Sequence, residues 1–175
     1  VALAFTPVSP TDAADPALGE QLLDTWVRVT DAGGAVGFVP PADRALIGET
    51  LDSALRRVAV GQDALGVLRD PDGRAVGMGI LSSSSSPLRR HWRTVLRLMV
   101  DPDLQGGGAG RILMDGLHEM ARDLDLEFLC LAVRGGLGIE GFYSHLGYEI
   151  YGRNPHAIRV APGDERDEIQ MRIAL

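Results

Sequence analysis

The chain contains no lysine: all 17 of its basic residues are arginine. That absence removes Schiff-base chemistry and the phosphate-gripping lysine of a Walker loop. Cysteine is nearly as scarce. The lone Cys130 excludes an internal disulfide framework and a multi-cysteine metal site, and its place in the apolar run FLCLAV marks it as a packed core thiol rather than a nucleophile. Four histidines, at 91, 118, 145 and 156, form no cluster in the sequence, which argues against a metal. No stretch of about 18 apolar residues exists, as a membrane span would need. The opening VALAFTPVSPTDAAD lacks the basic start and long apolar run of a signal peptide. A soluble cytoplasmic protein is therefore expected. Positive charge is also in deficit: the net charge is -7 and the pI near 5.0. Sequence-independent binding to nucleic acid or to an anionic membrane needs a basic surface, so both are disfavoured, and cationic small molecules are the easier partners.

What is present is enough for one ordinary domain with a sizeable core, since 45% of the 175 residues are hydrophobic. Asp15-Pro16 reads as a helix N-cap followed by proline at the first helical position, and Leu18, Leu22, Trp26 and Val29 recur at helical spacing over about 16–30. DAGGAVGFVPP breaks that helix, and Ile47, Leu51, Leu55 and Val58 mark a second over 42–59. Two short apolar runs, 64–69 and 74–81, are joined by Asp70-Pro71-Asp72-Gly73 and predict a hairpin. Ser82–Ser86 and the following PLRRHW read as a solvated loop. TVLRLMV (94–100) is a β-branched, apolar strand with one intruding arginine, Arg97. Leu113, Leu117, Met120 and Leu124 lie on one stripe of a helix that opens at Ala109. FLCLAVR (128–134) has the continuous apolar run of a strand covered on both faces. GGLGIEGFYSHLGYE contains a short helix bracketed by glycines, YEIYG and EIQMRIAL are closing strands, and PGDERDE between them reads as a solvated turn. No internal repeat is found. The order of strand, two helices, three strands, helix, strand, helix and two strands predicts an α/β (α+β) protein: one mixed sheet with helices packed on its faces.

Between the 94–100 strand and its following helix lies DPDLQGGGAGRIL. A strand that ends in a glycine-rich turn and opens a helix is an anion site: the first N–H groups of the helix lack carbonyl partners, the helix dipole adds positive charge, and glycines admit close approach. A Walker loop fails for want of lysine. A dinucleotide fingerprint fails on spacing, because counting Gly-x-Gly-x-x-Gly from Gly106 lands on Arg111 and from Gly108 on Leu113.

Gln105-x-x-Gly108-x-Gly110 after an apolar strand resembles the pyrophosphate loop of the GNAT superfamily of acyl-CoA-dependent N-acyltransferases. Phe142-Tyr143-Ser144-His145-Leu146-Gly147-Tyr148 is similar to the family's FYxxxGF/Y signature, at the expected distance downstream. The resemblance extends to the order of elements over nearly the whole chain, and is most specific over 94–152. It implies a single domain over 1–175 with a mostly antiparallel sheet of about six to seven strands and about four helices. It implies acetyl transfer from acetyl-CoA to the amine of a small molecule by direct attack in a ternary complex, without a metal. Leu98, Met99 and Val100 would then offer backbone groups to the pantetheine arm. The pyrophosphate would rest on N–H groups of Gln105, Gly106, Gly107, Gly108, Ala109, Gly110 and Arg111. A small-molecule amine is the expected partner, with no nucleic acid or membrane, and a homodimer is left open.

The chemistry requires an amine that has lost its proton and a thiolate that is stabilised as it leaves. Tyr143 occupies the place of the family's tyrosine acid. The glutamate that many members carry on the strand before the loop is missing, since TVLRLMV holds no carboxylate. Glu140, three residues before Tyr143, would share its helix face and could bind the ammonium or accept a proton. His91, just before the strand, titrates near neutrality and is a second candidate. His118 and His145 read as helix-surface residues, and His156 as a candidate for the acceptor pocket. Two other roles stay open: a noncatalytic acetyl-CoA-binding or sensing domain, and a protein or peptide N-acetyltransferase. A narrower resemblance, carried by His91, Glu140-x-x-Tyr143, Gly147-Tyr148 and Gly152-x-x-Pro155, is to a subgroup that includes tabtoxin-resistance-type acetyltransferases. VRGGLG replaces that subgroup's usual Asn or Asp-Thr after the fifth strand.

Overall fold

A computed structural model describes residues 2–175. Strand β1 (Ala4–Val8) is followed by helices α1 (Pro16–Asp31) and α2 (Arg44–Ala59), then by strands β2 (Ala64–Arg69), β3 (Ala75–Ser82) and β4 (Trp92–Val100). Helix α3 (Ala109–Asp123), strand β5 (Phe128–Arg134) and helix α4 (Ile139–His145) lead to the closing strands β6 (Glu149–Ala161) and β7 (Asp164–Ala174). The two first helices begin where short acids can cap them: Asp15 accepts from the Ala17 N–H at 2.9 Å and Asp43 from that of Leu46 at 3.0 Å.

The strands form one sheet in the order β1-β2-β3-β4-β5-β7-β6. Every neighbouring pair is antiparallel except β4 and β5. Alternation along the strands divides the core in two. Leu65, Val67, Met78, Ile80 and Met99 face α1 and α2, where Leu22, Trp26 and Ile47 are fully buried. Leu68, Leu81, Val95 and Leu129 face α3, which buries Leu113, Met114 and Leu117. Close approach on this second face depends on glycine. A Cβ at Gly66 or Gly116 would fall inside the Phe5 ring, so β1 seats its aromatic side chain in a notch between β2 and α3.

Several expectations are corrected. Trp92 is not part of a loop but opens β4, stacked on Phe128 with ring centroids 5.5 Å apart. β5 is buried on one face only: Leu129, Leu131 and Val133 are enclosed, while Ala132 is exposed and Cys130 half-buried rather than packed in the core. Burial still pushes the Cys130 thiol up, away from thiolate chemistry. His118 is buried, not on a helix surface, with Nε2 3.1 Å from the Tyr148 hydroxyl. His145 is exposed, as expected, and its Nδ1 lies 2.6 Å from the Gly141 carbonyl. The closing strands are much longer than YEIYG and EIQMRIAL. Only Pro162-Gly163 turns the chain, and residues 164–168 of the expected solvated turn pair with β6. Alternating charges hold that ribbon together, through Arg153–Asp167 at 3.0 Å and Arg159–Glu165 at 2.8 Å.

Candidate active site

The site originates in the parallel step of the sheet. β4 and β5 pair through Trp92/Phe128, Arg93/Leu129 and Thr94/Cys130, and then part. From Val95 onward the strands diverge, leaving a cavity of about 580 Å³ between them. The divergence has a local cause in β4. Leu96 pairs with Ile80 and Met99 with Met78, so Arg97 and Leu98 together oppose Gly79 alone. That extra residue is a β-bulge, and Arg97 takes it up with φ 54°.

At the lower end of the cavity stands the glycine loop. Gly106 (φ 79°) and Gly108 (φ 86°) adopt left-handed backbone, and a Cβ at either would meet open space. Both glycines are therefore needed for conformation and not for packing. Gly108 is the N-cap of α3 and has no side chain to satisfy the helix's first N–H groups. Among the described residues, none of the N–H groups from Gly106 to Gly110 donates within the protein. A 15-residue helix directs its positive end at the same place. The Gln105 side chain turns inward and donates to the Val100 carbonyl at 2.9 Å, joining the loop to the end of β4.

Tyr143 closes the opposite wall. Its helix ends in a Schellman arrangement: the Tyr148 N–H donates to the Tyr143 carbonyl and that of Gly147 to Ser144, both at 3.0 Å, with Gly147 at φ 95°. FYSHLGY is thus a helix stop that fixes Tyr143, whose ring meets those of Phe142 and Tyr148 edge-on. Burial alone pushes the Tyr143 hydroxyl up to about 12.

Segment 29–36 roofs the cavity. The Trp26 indole and the Arg97 guanidinium both donate to the Val36 carbonyl, at 3.1 and 3.2 Å, and Arg97 lies 5.2 Å above the Trp26 ring. Arg134 donates to the Gly33 carbonyl at 3.3 Å. On the far side of Arg97 and Arg134 a second cavity of about 580 Å³ opens, bounded by Phe38, Asp43, Arg159 and Glu168. Ala35, Arg97, Ala132, Val133 and Arg134 line both, so the two spaces adjoin at these residues.

Of the residues singled out in the sequence, Leu98, Met99, Val100, Gln105, Gly106, Gly108, Gly110, Arg111 and Tyr143 line the first cavity. Gly107 and Ala109 lie between them in the chain but are not on the wall. Glu140 and His91 are not brought there. The Glu140 Oε2 is buried without a partner, off the cavity wall. His91 is exposed at the paired end of β4, edge-on to Phe128, while the cavity opens at the other end. His156 sits on an exposed bulge of β6 with φ 55° and lines neither cavity. Sequence reasoning missed Arg134, Glu168 and segment 29–36. Arg97 alone gave a signal, as a charge inside an apolar strand.

A sheet that parts beside an N–H-rich loop, with a buried tyrosine across the gap, leaves an elongated space between two strands with unpartnered donors at its end. The Acetyltransferase (GNAT) domain model matches residues 62–150, just over half of the chain, and the protein belongs to that family. Solved structures agree on the fold. An acetyltransferase of GNAT family from Streptococcus pneumoniae superimposes with a TM-score of 0.76 at 16% identity, covering 99% of this chain and 100% of that one. The ribosomal-protein-alanine N-acetyltransferase from Brucella melitensis gives 0.75 at 19% identity, over 98% and 99%. The protein yncA from Salmonella typhimurium, solved with its cofactor acetyl-CoA, gives 0.75 at 17% identity, over 100% and 95%.

Proposed function

We propose that the protein transfers the acetyl group of acetyl-CoA to the primary amine of a small molecule by direct attack. The carrying observation is the run of unpartnered N–H groups from Gly106 to Gly110 at the mouth of the split between β4 and β5. This run suits a pyrophosphate, and the backbone of β4 beyond Thr94, open on the side facing β5, suits the amide-bearing arm that links it to the thioester. The acceptor enters through the second cavity and gives up its ammonium proton to solvent. Its neutral nitrogen forms the new C–N bond as the C–S bond breaks, and the second proton lost from nitrogen passes through solvent to the departing CoA thiolate.

Tyr143 acts in this reading as a hydrogen-bond donor to the departing sulfur. With its hydroxyl held near 12 it stays protonated at neutral pH. A thiol titrates at about 8.5, so complete proton transfer from Tyr143 runs uphill and the hydrogen bond is the useful interaction. Glu168 is the carboxylate assigned to the acceptor's ammonium, because Asp43, the other acid on that wall, is engaged as the cap of α2.

Thiol release from acetyl-CoA across a panel of amines tests the proposal. Saturable turnover with at least one small amine is expected. In Tyr143→Phe, kcat is expected to fall about 100-fold with acetyl-CoA affinity retained. A binding-only role is the second reading, favoured by the absence of any carboxylate or histidine among the residues lining the first cavity. Tight acetyl-CoA binding with no turnover on amines or peptides would establish it, and turnover on peptides alone would transfer the acceptor class to proteins.

A further inference from the structure

Resting on that acetyltransferase reading, we infer that the acceptor amine also carries an oxyanion, a carboxylate or phosphonate, held by Arg97 and Arg134 where the two cavities meet. The sign of the wall supports this. The charged residues lining the first cavity are Arg97, Arg111 and Arg134, with no acid among them. Arg111 has Asp115 at 3.5 Å. Arg97 and Arg134 have no carboxylate within ion-pair distance among the described residues, although other arginines, such as Arg28, Arg44 and Arg57, do.

Arg97 is held in place for such a role. Its guanidinium is stacked on Trp26, donates through Nη1 to the Val36 carbonyl, and passes where a Cβ at Gly37 would stand. Five N–H donors are available on a guanidinium, and one carbonyl leaves a planar fork unused. A half-buried guanidinium without a counter-charge is unfavourable, and an oxyanion in the adjoining cavity removes that penalty through charge-assisted hydrogen bonds. Arg134 faces the same space from β5 with only the Gly33 carbonyl as partner.

The opposing charges on the acceptor side sharpen the chemistry. Arg159 is paired with Glu165 at 2.8 Å and Asp43 caps α2, which leaves Glu168, directly across the ladder from Arg134 and engaged only by the neutral Gln170 amide at 3.3 Å, for the acceptor's ammonium. Two arginines and one carboxylate around one space match a molecule bearing both an amine and an oxyanion. The phosphates of acetyl-CoA are the other anions that could reach Arg97, but the loop at Gly106–Gly110 lies beyond the end of β4 at Val100, three strand residues or about 10 Å past Arg97.

The test uses matched acceptors in which several carbons separate the amine from the anion, so that amine basicity stays nearly constant: ω-amino acids, their carboxamides and the corresponding aminophosphonates, each assayed by thiol release with acetyl-CoA saturating. We expect kcat/KM for an oxyanion-bearing amine to exceed that of its carboxamide by about tenfold or more. The carboxylate and phosphonate arms distinguish which oxyanion fits. In Arg134→Gln and Arg97→Lys, the acceptor KM should rise about tenfold with smaller changes in kcat, and the KM for acetyl-CoA should stay as in the wild type. Arg97→Lys keeps a cation over Trp26, so the roof segment is retained while the fork is lost. Equal or better turnover of the carboxamides overturns this inference and leaves the acetyltransferase reading standing. Variants that shift the acetyl-CoA KM instead of the acceptor KM also overturn it. Failure of the wild type to bind acetyl-CoA by calorimetry defeats both.

Discussion

Gly107 offers the sharpest test of the loop, because it separates charge from backbone strain. Its neighbours Gly106 and Gly108 have φ of 79° and 86°, so any side chain there strains the loop, at about 1–2 kcal/mol per residue. Gly107 has no such restriction, and a Cβ on it would meet only the Leu104 carbonyl at 3.8 Å. Gly107→Ala should therefore fold and bind acetyl-CoA almost as the wild type does. Gly107→Glu adds one negative charge to the same unstrained position. A carboxylate on a flexible arm about 7 Å from a bound phosphate, at an effective dielectric near 40, is repelled by roughly 1 kcal/mol per phosphate charge. Two phosphate charges give about 2 kcal/mol, or a 30-fold loss of affinity.

Calorimetric titration of acetyl-CoA into both variants, at low and at high salt, measures this. The loss in Gly107→Glu should shrink as salt rises, because the Debye length falls from about 10 Å at 0.1 M to about 3 Å at 1 M. The loss in Gly108→Ala should appear chiefly in thermal stability and show little response to salt. Equal affinity of Gly107→Glu and Gly107→Ala at low salt would refute the placement of an anion at these N–H groups.

Gly116→Ala replaces the poorest ordinary helix former with the best, a change that would add about 1 kcal/mol in a solvent-exposed helix. Here the new Cβ enters the Phe5 ring, so chemical denaturation should show a net loss of about 1–3 kcal/mol, relieved in part by Phe5→Leu. Gly147→Ala, forced to φ 95° with Ile173 close by, should cost about 1–2 kcal/mol and loosen Tyr143, visible as lower kcat at unchanged fold content by circular dichroism. Burial, reinforced by Arg122, holds His118 below its ordinary value of 6.5 despite an opposing pull from Asp115. The unfolded chain then binds this proton more readily than the native one. The contribution of neutral His118 is complete above about pH 6.5 and is lost as pH falls towards the native value. The melting temperature should fall from pH 7.5 to 5, and the gap between wild type and His118→Gln should narrow over that range.

The legible parts of the site were those whose physics is local. The turn at Gly106–Gly108 and the helix stop at Gly147 each require left-handed backbone within a few residues of a strand or helix, and glycine spacing records that directly. What escaped depends on distant chain. FLCLAVR looked enclosed on both sides because its residues are apolar, yet Ala132 is exposed, since β4 has parted from β5 at that point. Glu140 satisfied a spacing rule with Tyr143, but a three-residue offset permits a range of directions on a helix only seven residues long. The outer half of β7, Asp164–Glu168, is polar on both faces and held by cross-strand ion pairs, so no hydrophobic alternation marks it, and in β6 only Ile158 and Val160 alternate beyond Pro155. His118 has no apolar signature in the sequence, and its burial follows from Tyr148, thirty residues on, packing beside it on the α3 face of the sheet.

Net charge illustrates the same distinction with a functional consequence. A chain at -7 invites cationic partners, and in open solvent, out to about a Debye length from the surface, that expectation holds. Inside a cavity the nearest charges decide, because they are separated from the ligand by little water. Many acids of this protein are spent elsewhere, on caps such as Asp15 and Asp43 and on arginine pairs such as Arg57–Asp63 and Arg153–Asp167. The charged residues on the first cavity's wall are all arginine, and the second cavity adds Arg159 with two acids, one already used as a cap. Raising salt should therefore weaken long-range repulsion between the acidic protein and an anionic ligand more than it weakens the short contacts to Arg97 and Arg134. For an anionic acceptor, association should accelerate at moderate salt while dissociation changes little, the reverse of what an acidic surface binding a cationic amine would give.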